Sequence, residues 1–158
     1  MTIFILRHGQ AETQITTDEV RQLTEKGRSD TARVVAARVP DMASLVQIWA
    51  SPLVRAQQTA AIAANYFPHL SIQTAGLLIP EANPQALLEW LDELNQQQLQ
   101  NSNQSILLVS HQPLVGALVN KLCGTSDDFY PMGTSSLAAI HAQVIASDMG
   151  NLLWLDHA

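Results

Sequence analysis

Two arginines and two histidines stand out in this chain because each falls at or just past the end of an apolar run. Arg7 and His8 follow Thr2-Ile3-Phe4-Ile5-Leu6, Arg55 lies a few residues beyond Leu45-Val46-Gln47-Ile48-Trp49-Ala50, and His111 follows Ser105-Ile106-Leu107-Leu108-Val109-Ser110. One Arg-His pair alone reads as an exposed loop. Brought to one edge, the four would suit a phosphoryl group. Its transfer needs electrostatic stabilisation of charge spread over several oxygens, which the planar fork of arginine supplies, and a nucleophile in line with the leaving atom. Neutral imidazole is such a nucleophile at physiological pH and can carry the phosphoryl group covalently. This chemistry requires no metal and no cofactor.

For the four to meet, the runs before them must be parallel neighbours in a sheet whose carboxyl edge holds the site. The sequence is compatible with this. Residues 2–7 and 105–110 are apolar almost throughout, as strands covered on both faces are, and 45–50 is a shorter strand. Ser71 to Ala75 is a weaker strand candidate. A helix is expected from Thr24 as N-cap, with Ala32, Val35, Ala36 and Val39 as its apolar stripe and Pro40 as its stop. Ser51-Pro52 has the pattern of an N-cap followed by proline at the first helical position, opening a helix to about Tyr66 through Leu53, Ala56, Ala60, Ala63 and Phe67. Pro84 opens a third helix with Leu87, Leu88, Leu91 and Leu94, ended by a polar run from Gln96 to Gln104. Pro113 opens a fourth, stopped by Gly124. The segments 136–144 and 152–156 read as an antiparallel strand pair around a polar turn at Asp148-Met149-Gly150-Asn151. Alternating strands and helices give the α/β class with a largely parallel sheet.

Composition narrows the partners. The chain has 158 residues, which fits a single domain over 1–158, and carries eight Lys plus Arg against fourteen Asp plus Glu for a net charge of −6. That balance argues against nucleic acid or an anionic membrane surface as the main partner, but not against a small oxyanion in a locally positive pocket. There is no long apolar run and no signal-peptide pattern at the N-terminus, so a soluble, cytoplasmic protein is expected. Cys123 stands alone, which excludes an intrachain disulfide, and no Cys/His cluster has zinc spacing.

Four motifs in order carry a resemblance: Arg7-His8-Gly9 after the first strand, Leu23-Thr24-Glu25-Lys26-Gly27 at a helix start, Ser51-Pro52 to Arg55 continuing into Ala56-Gln57-Gln58-Thr59-Ala60, and Val109-Ser110-His111. Together they resemble the histidine phosphatase superfamily across nearly the whole chain. Length, short inter-motif segments and the run His111-Gln112-Pro113-Leu114-Val115-Gly116 are most similar to its small SixA-type phosphohistidine phosphatase branch. The resemblance implies a phosphoglycerate mutase-like α/β fold, a three-layer α/β/α sandwich with a mostly parallel central sheet. It also implies that His8 is the nucleophile that becomes phosphorylated and that Arg7, Arg55 and His111 bind the phosphoryl oxygens. The implied partner is a phosphohistidine-bearing protein such as a histidine phosphotransfer domain.

Gly9 would let the backbone turn close to the phosphoryl group. Many members also place a carboxylate in mid-chain as general acid. Here Glu81, in Leu78-Ile79-Pro80-Glu81-Ala82, is the candidate, as acid or pocket former or as a plain loop residue. The small polar residues that the family carries just after its Arg-His-Gly motif are replaced by Gln10, Ala11 and Glu12. His69, His141 and His157 lack motif context. A small-molecule phosphomonoesterase of the same superfamily, and a non-catalytic module that binds a phosphorylated partner, are the alternative readings; the presence of all four site residues speaks against the second.

Overall fold

A computed structural model describes residues 1–98, 103–126 and 129–158. Six strands form one sheet: β1 (Thr2–Arg7), β2 (Leu45–Ala50), β3 (Ile72–Thr74), β4 (Ser105–Ser110), β5 (Leu137–Ala142) and β6 (Gly150–Asp156). Their order is β3-β2-β4-β1-β5-β6. The pairings β3·β2, β2·β4 and β4·β1 are parallel, whereas β5 runs antiparallel to both β1 and β6. The strands that end at Ala50, Ser110 and Arg7 are therefore adjacent and point the same way, the condition for a shared site.

Four helices cover the sheet: α1 (Glu25–Arg38), α2 (Val54–Ala64), α3 (Pro84–Gln98) and α4 (Leu114–Cys123). The two-residue period of a strand divides the core cleanly. Ile3, Ile5, Ile106 and Leu108 face Leu87 and Leu91 of α3 and Leu118 and Leu122 of α4. Phe4, Leu6, Leu107 and Val109 face Val34 and Val35 of α1 and Ala56, Ala60 and Ala63 of α2. Because both faces are covered, β1 and β4 tolerate apolar side chains at successive positions, and Ile3 to Leu6 are all buried. This is the expected three-layer α/β arrangement. Among the described residues no helix is long and apolar enough to cross a membrane.

Helix ends follow local chemistry. Thr24 caps α1 by accepting from the Gly27 N–H at 3.0 Å, and Gly124, left-handed at φ 65°, closes α4 with its N–H on the Asn120 carbonyl. Three expectations need correction. The buried face of α1 is Gly27, Thr31, Val34 and Val35; of the expected stripe, Val35 lies on that face and Val39 packs partly buried against the same core, while Ala36 is exposed. α2 starts at Val54 with Leu53 as its uncapped N-cap, so Ser51 caps nothing in that helix; its hydroxyl is engaged in the site. The third helix runs to Gln98, into the polar run expected to end it, of which residues 99–102 lie outside the described residues.

Candidate active site

Parallel β1 and β4 deliver His8 and His111 side by side, with ring centroids 4.9 Å apart. Backbone bonds on both sides fix His8: its N–H donates to the Ser110 carbonyl at 2.9 Å and its carbonyl accepts from Ser135 at 3.1 Å. The next residue is held between α2 and α1. The Gly9 N–H donates to Thr59 Oγ1 at 3.1 Å, and a Cβ at position 9 would lie 2.6 Å from the Gly27 carbonyl oxygen. The requirement for glycine thus comes from α1, whose Gly27 is equally constrained: a Cβ there would lie 2.1 Å from the Gln10 carbonyl oxygen.

The His8 ring is nearly buried, and its Nδ1 lies 2.7 Å from the Gly9 carbonyl oxygen. A carbonyl only accepts, so Nδ1 carries the proton of the neutral ring and Nε2 keeps a lone pair. Burial, opposed by that hydrogen bond and reinforced by the charges of Arg55, Arg7 and Arg21, pushes its pKa down to about 4. Burial, with the neighbouring His8 and Arg55, pushes His111 down to about 3. Both rings are neutral at physiological pH, the state an attacking imidazole needs. His111 Nε2 meets Ser51 Oγ at 2.8 Å, and that hydroxyl also accepts from the Leu53 N–H at 3.3 Å.

The guanidiniums come from two elements. Arg7, the last residue of β1, donates from Nη1 to the Met132 carbonyl at 2.9 Å, which also accepts from Gln112 Nε2 at 3.2 Å. Arg55, in the first turn of α2, donates from Nη1 to the Asp18 carbonyl and from Nη2 to Asp18 Oδ2, both at 2.8 Å. Asp18 Oδ1 accepts from Arg21 Nη1 at 2.9 Å. The Arg21 hydrogen bond, with that of Arg55, holds the Asp18 carboxyl below the usual carboxylate range against its burial.

What the cluster lacks is as informative. Arg7 Nε, Arg55 Nε and His111 Nδ1 are buried and have no hydrogen-bond partner among the described residues. Buried polar nitrogens are normally paired, and a group of them beside a neutral imidazole is arranged for an oxygen-rich ligand. The structure brings Arg7, His8, Arg55 and His111 together. Glu81 stands apart, exposed and without a hydrogen bond or ion pair to the described residues. It follows a one-turn 3-10 helix (Gly76–Leu78) anchored to the site edge by Ser110 Oγ donating to the Leu78 carbonyl at 2.7 Å.

Sequence reasoning passed over Asp18, Arg21 and the role of Ser51. The loop from 9 to 22 is polar and aperiodic: its length suggests that it frames something, but only an acidic and a basic residue three positions apart point to Asp18 and Arg21. Ser51 was hidden by a Ser-Pro pair that looks like a helix cap.

Comparison with known proteins agrees with this geometry. Residues 3–79 match the model of the histidine phosphatase superfamily, branch 1. The chain is 31% identical to the phosphohistidine phosphatase SixA of Escherichia coli over 96% of its own length and 89% of that protein. It is 30% identical to the SixA homologue of Haemophilus influenzae over 87% of each chain. Its structure superposes on that of the protein histidine phosphatase SixA complexed with tungstate with a TM-score of 0.82 at 27% identity, covering 98% of this chain and 96% of the other. The chain belongs to the histidine phosphatase superfamily, in its SixA-type branch.

Proposed function

We propose that this chain is a phosphohistidine phosphatase that works through a covalent phosphohistidine at His8. The observation that carries the reading is the juxtaposition of a buried, neutral His8, its Nε2 lone pair free, with three buried, unpartnered nitrogens on Arg7, Arg55 and His111. In the first step Nε2 of His8 attacks phosphorus as the bond from phosphorus to the substrate nitrogen breaks, and the substrate ring, protonated on its other nitrogen, leaves as neutral imidazole. The two guanidiniums take the charge of the equatorial oxygens. If Ser51 gives its hydroxyl proton to His111 Nε2, the imidazole carries its own N–H on the unpartnered Nδ1 and becomes a third donor. In the second step water displaces His8 from phosphorus, releasing inorganic phosphate and restoring the neutral ring.

The substrate we favour is a phosphohistidine on a protein, such as a histidine phosphotransfer domain. Two features support it. Imidazole, with an ordinary pKa near 6.5, leaves with less proton assistance than an alkoxide, which suits a site whose mid-chain carboxylate, Glu81, stands outside the hydrogen-bonded cluster. Only residues 79–83 separate the 3-10 turn from α3, so this side of the sheet edge carries no long covering segment of the kind that encloses a small substrate.

The test is incubation with a phosphorylated histidine phosphotransfer domain. Acid-labile phosphate should be trapped on the wild-type protein and absent from His8→Ala, with turnover lost in the variant. Equal turnover by the two proteins would refute the nucleophile, and a marked preference for sugar or nucleotide phosphates would refute the substrate.

A further inference from the structure

Arg55 is a buried cation, 4% exposed, and such a group persists only if fixed partners replace its water. The sheet and α2 do not supply them. The partner comes from a one-turn 3-10 helix, Asp18–Val20, in the loop after β1. Asp18 gives its carbonyl to Nη1 and Oδ2 to Nη2, and its second carboxylate oxygen goes to Arg21. Arg21 is tied in turn to the loop's own start, with Nε donating to the Glu12 carbonyl at 2.7 Å. One carboxylate thus spans two guanidiniums with one oxygen each.

We infer that Asp18 is a positioning residue of the phosphoryl site, holding the Arg55 fork so that its free donors face the oxyanion and holding Arg21 close enough to add its charge. The inference rests on the reading of Arg7, His8, Arg55 and His111 as that site.

An opposite role is conceivable for a carboxylate in this place, namely to occupy the anion's seat and compete with it. The geometry speaks for positioning. Asp18 uses only two of the five N–H donors of Arg55 and leaves Nε buried and unpartnered. The Asp18 side chain is 40% exposed where that of Arg55 is 5% exposed, so the carboxylate sits on the outer side of the guanidinium. Two cations on one carboxylate keep a net positive charge, so an arriving oxyanion is still attracted. The same carboxylate relieves repulsion between Arg55 and Arg21, which would otherwise favour their turning apart into solvent.

The experiment compares wild type with Asp18→Asn, Asp18→Glu, Arg55→Ala and the Asp18→Asn/Arg55→Ala double variant. Three quantities are measured: tungstate affinity by calorimetry, kcat and KM on a phosphorylated phosphotransfer domain, and the thermal midpoint. Asp18→Asn should weaken tungstate binding and lower kcat by about ten- to a hundredfold, the scale of a charge-assisted hydrogen bond, with little change in midpoint. Asp18→Glu, which keeps the charge but displaces the carboxylate by one methylene, should fall between wild type and Asp18→Asn, and its comparison with wild type holds if Asp18→Asn folds poorly. In the Arg55→Ala background the Asp18 substitution should cost little more, since its main client is gone. Tighter tungstate binding by Asp18→Asn would show competition and overturn the inference, as would unchanged binding and turnover, or losses that add fully in the double variant. A wild type that binds tungstate but leaves phosphohistidine intact would refute the phosphatase reading while the affinity comparison still decides the role of Asp18. Absence of tungstate binding by the wild type would refute both.

Discussion

The imidazole of His8 donates from Nδ1 to the carbonyl oxygen of its own neighbour, Gly9, at 2.7 Å. Both partners of that bond lie in the segment leaving β1, and a carbonyl only accepts, so the bond selects the tautomer that frees Nε2. Burial and three nearby arginines then keep the ring neutral, with a pKa of about 4. The proton assignment and the depressed pKa act together: a protonated ring would have no lone pair to offer, and the opposite tautomer would offer the wrong nitrogen.

The first prediction is that ring nitrogen NMR of His8 shows Nδ1 protonated and Nε2 unprotonated at neutral pH, with the midpoint of the ring's titration at about pH 4. The linkage has a definite sign. In the unfolded chain the ring titrates near 6.5, so between that value and the folded pKa the unfolded state binds more protons. Stability is therefore fully present above about pH 6.5 and is lost as the pH falls toward 4. His8→Asn should flatten that acid limb in denaturant titrations. A ring titrating near its ordinary value would remove the basis for the neutral nucleophile.

Ser51→Ala should lower kcat by about tenfold, the scale of one buried hydrogen bond, and cost about 1 kcal/mol of stability. Ser51 is fully buried, and its hydroxyl is the partner of His111 Nε2. Without it the ring is free to take the tautomer with the proton on Nε2, leaving Nδ1 as an acceptor facing anionic oxygen. Steady-state turnover and urea unfolding check the two effects separately. Activity equal to wild type would mean that His111 needs no second partner.

Gly9→Ala and Gly27→Ala probe the contact that seats the first motif on α1. A Cβ at Gly9 would lie 2.6 Å from the Gly27 carbonyl oxygen and 2.8 Å from Thr31 Oγ1, and one at Gly27 would lie 2.1 Å from the Gln10 carbonyl oxygen. Backbone is the obstacle in both, so relief requires moving α1 from β1. Each variant should lose about 1–3 kcal/mol, the range for overpacking, with Gly27→Ala the worse. Thermal unfolding measures it. Unaltered midpoints would show that the loop yields.

The strand ends were legible in the sequence because their signal is local. Strands buried on both faces announce themselves by unbroken apolar runs, Thr24 marks a helix start by the hydroxyl that caps it, and Gly124 marks a helix end by its left-handed backbone. Arg7, His8, Arg55 and His111 inherit that clarity from the strands they follow. Asp18 does not, since its partner Arg55 is 37 residues away and its own loop has no period. Ser51 was misread for the same reason: the residue that claims its hydroxyl lies 60 positions further on. On α1 Val35 was legible but Thr31 was not, because Thr31, hydrogen-bonded to the Gly27 carbonyl and to Ser135, is buried as a polar residue that an apolar count does not weigh.

Glu81→Gln separates a general acid from a bystander. Glu81 is exposed and unpaired among the described residues, and the Ser110–Leu78 bond keeps the start of its loop at the site edge. An alkoxide or phenoxide leaving group needs a proton that the four clustered residues are poorly suited to give: the arginines hold theirs too tightly, and in the proposed mechanism His8 is the nucleophile and His111 spends its N–H on the phosphoryl oxygens. Phosphohistidine needs less help, because its ring, protonated on the nitrogen away from phosphorus, departs as neutral imidazole. The variant should therefore lose about ten- to a hundredfold on an aryl or alkyl phosphate, within the usual contribution of general acid catalysis at its lower end, while turnover of a phosphohistidine protein changes little. Equal loss on both substrates would place Glu81 in substrate binding, and an unchanged rate on both would leave it a surface residue.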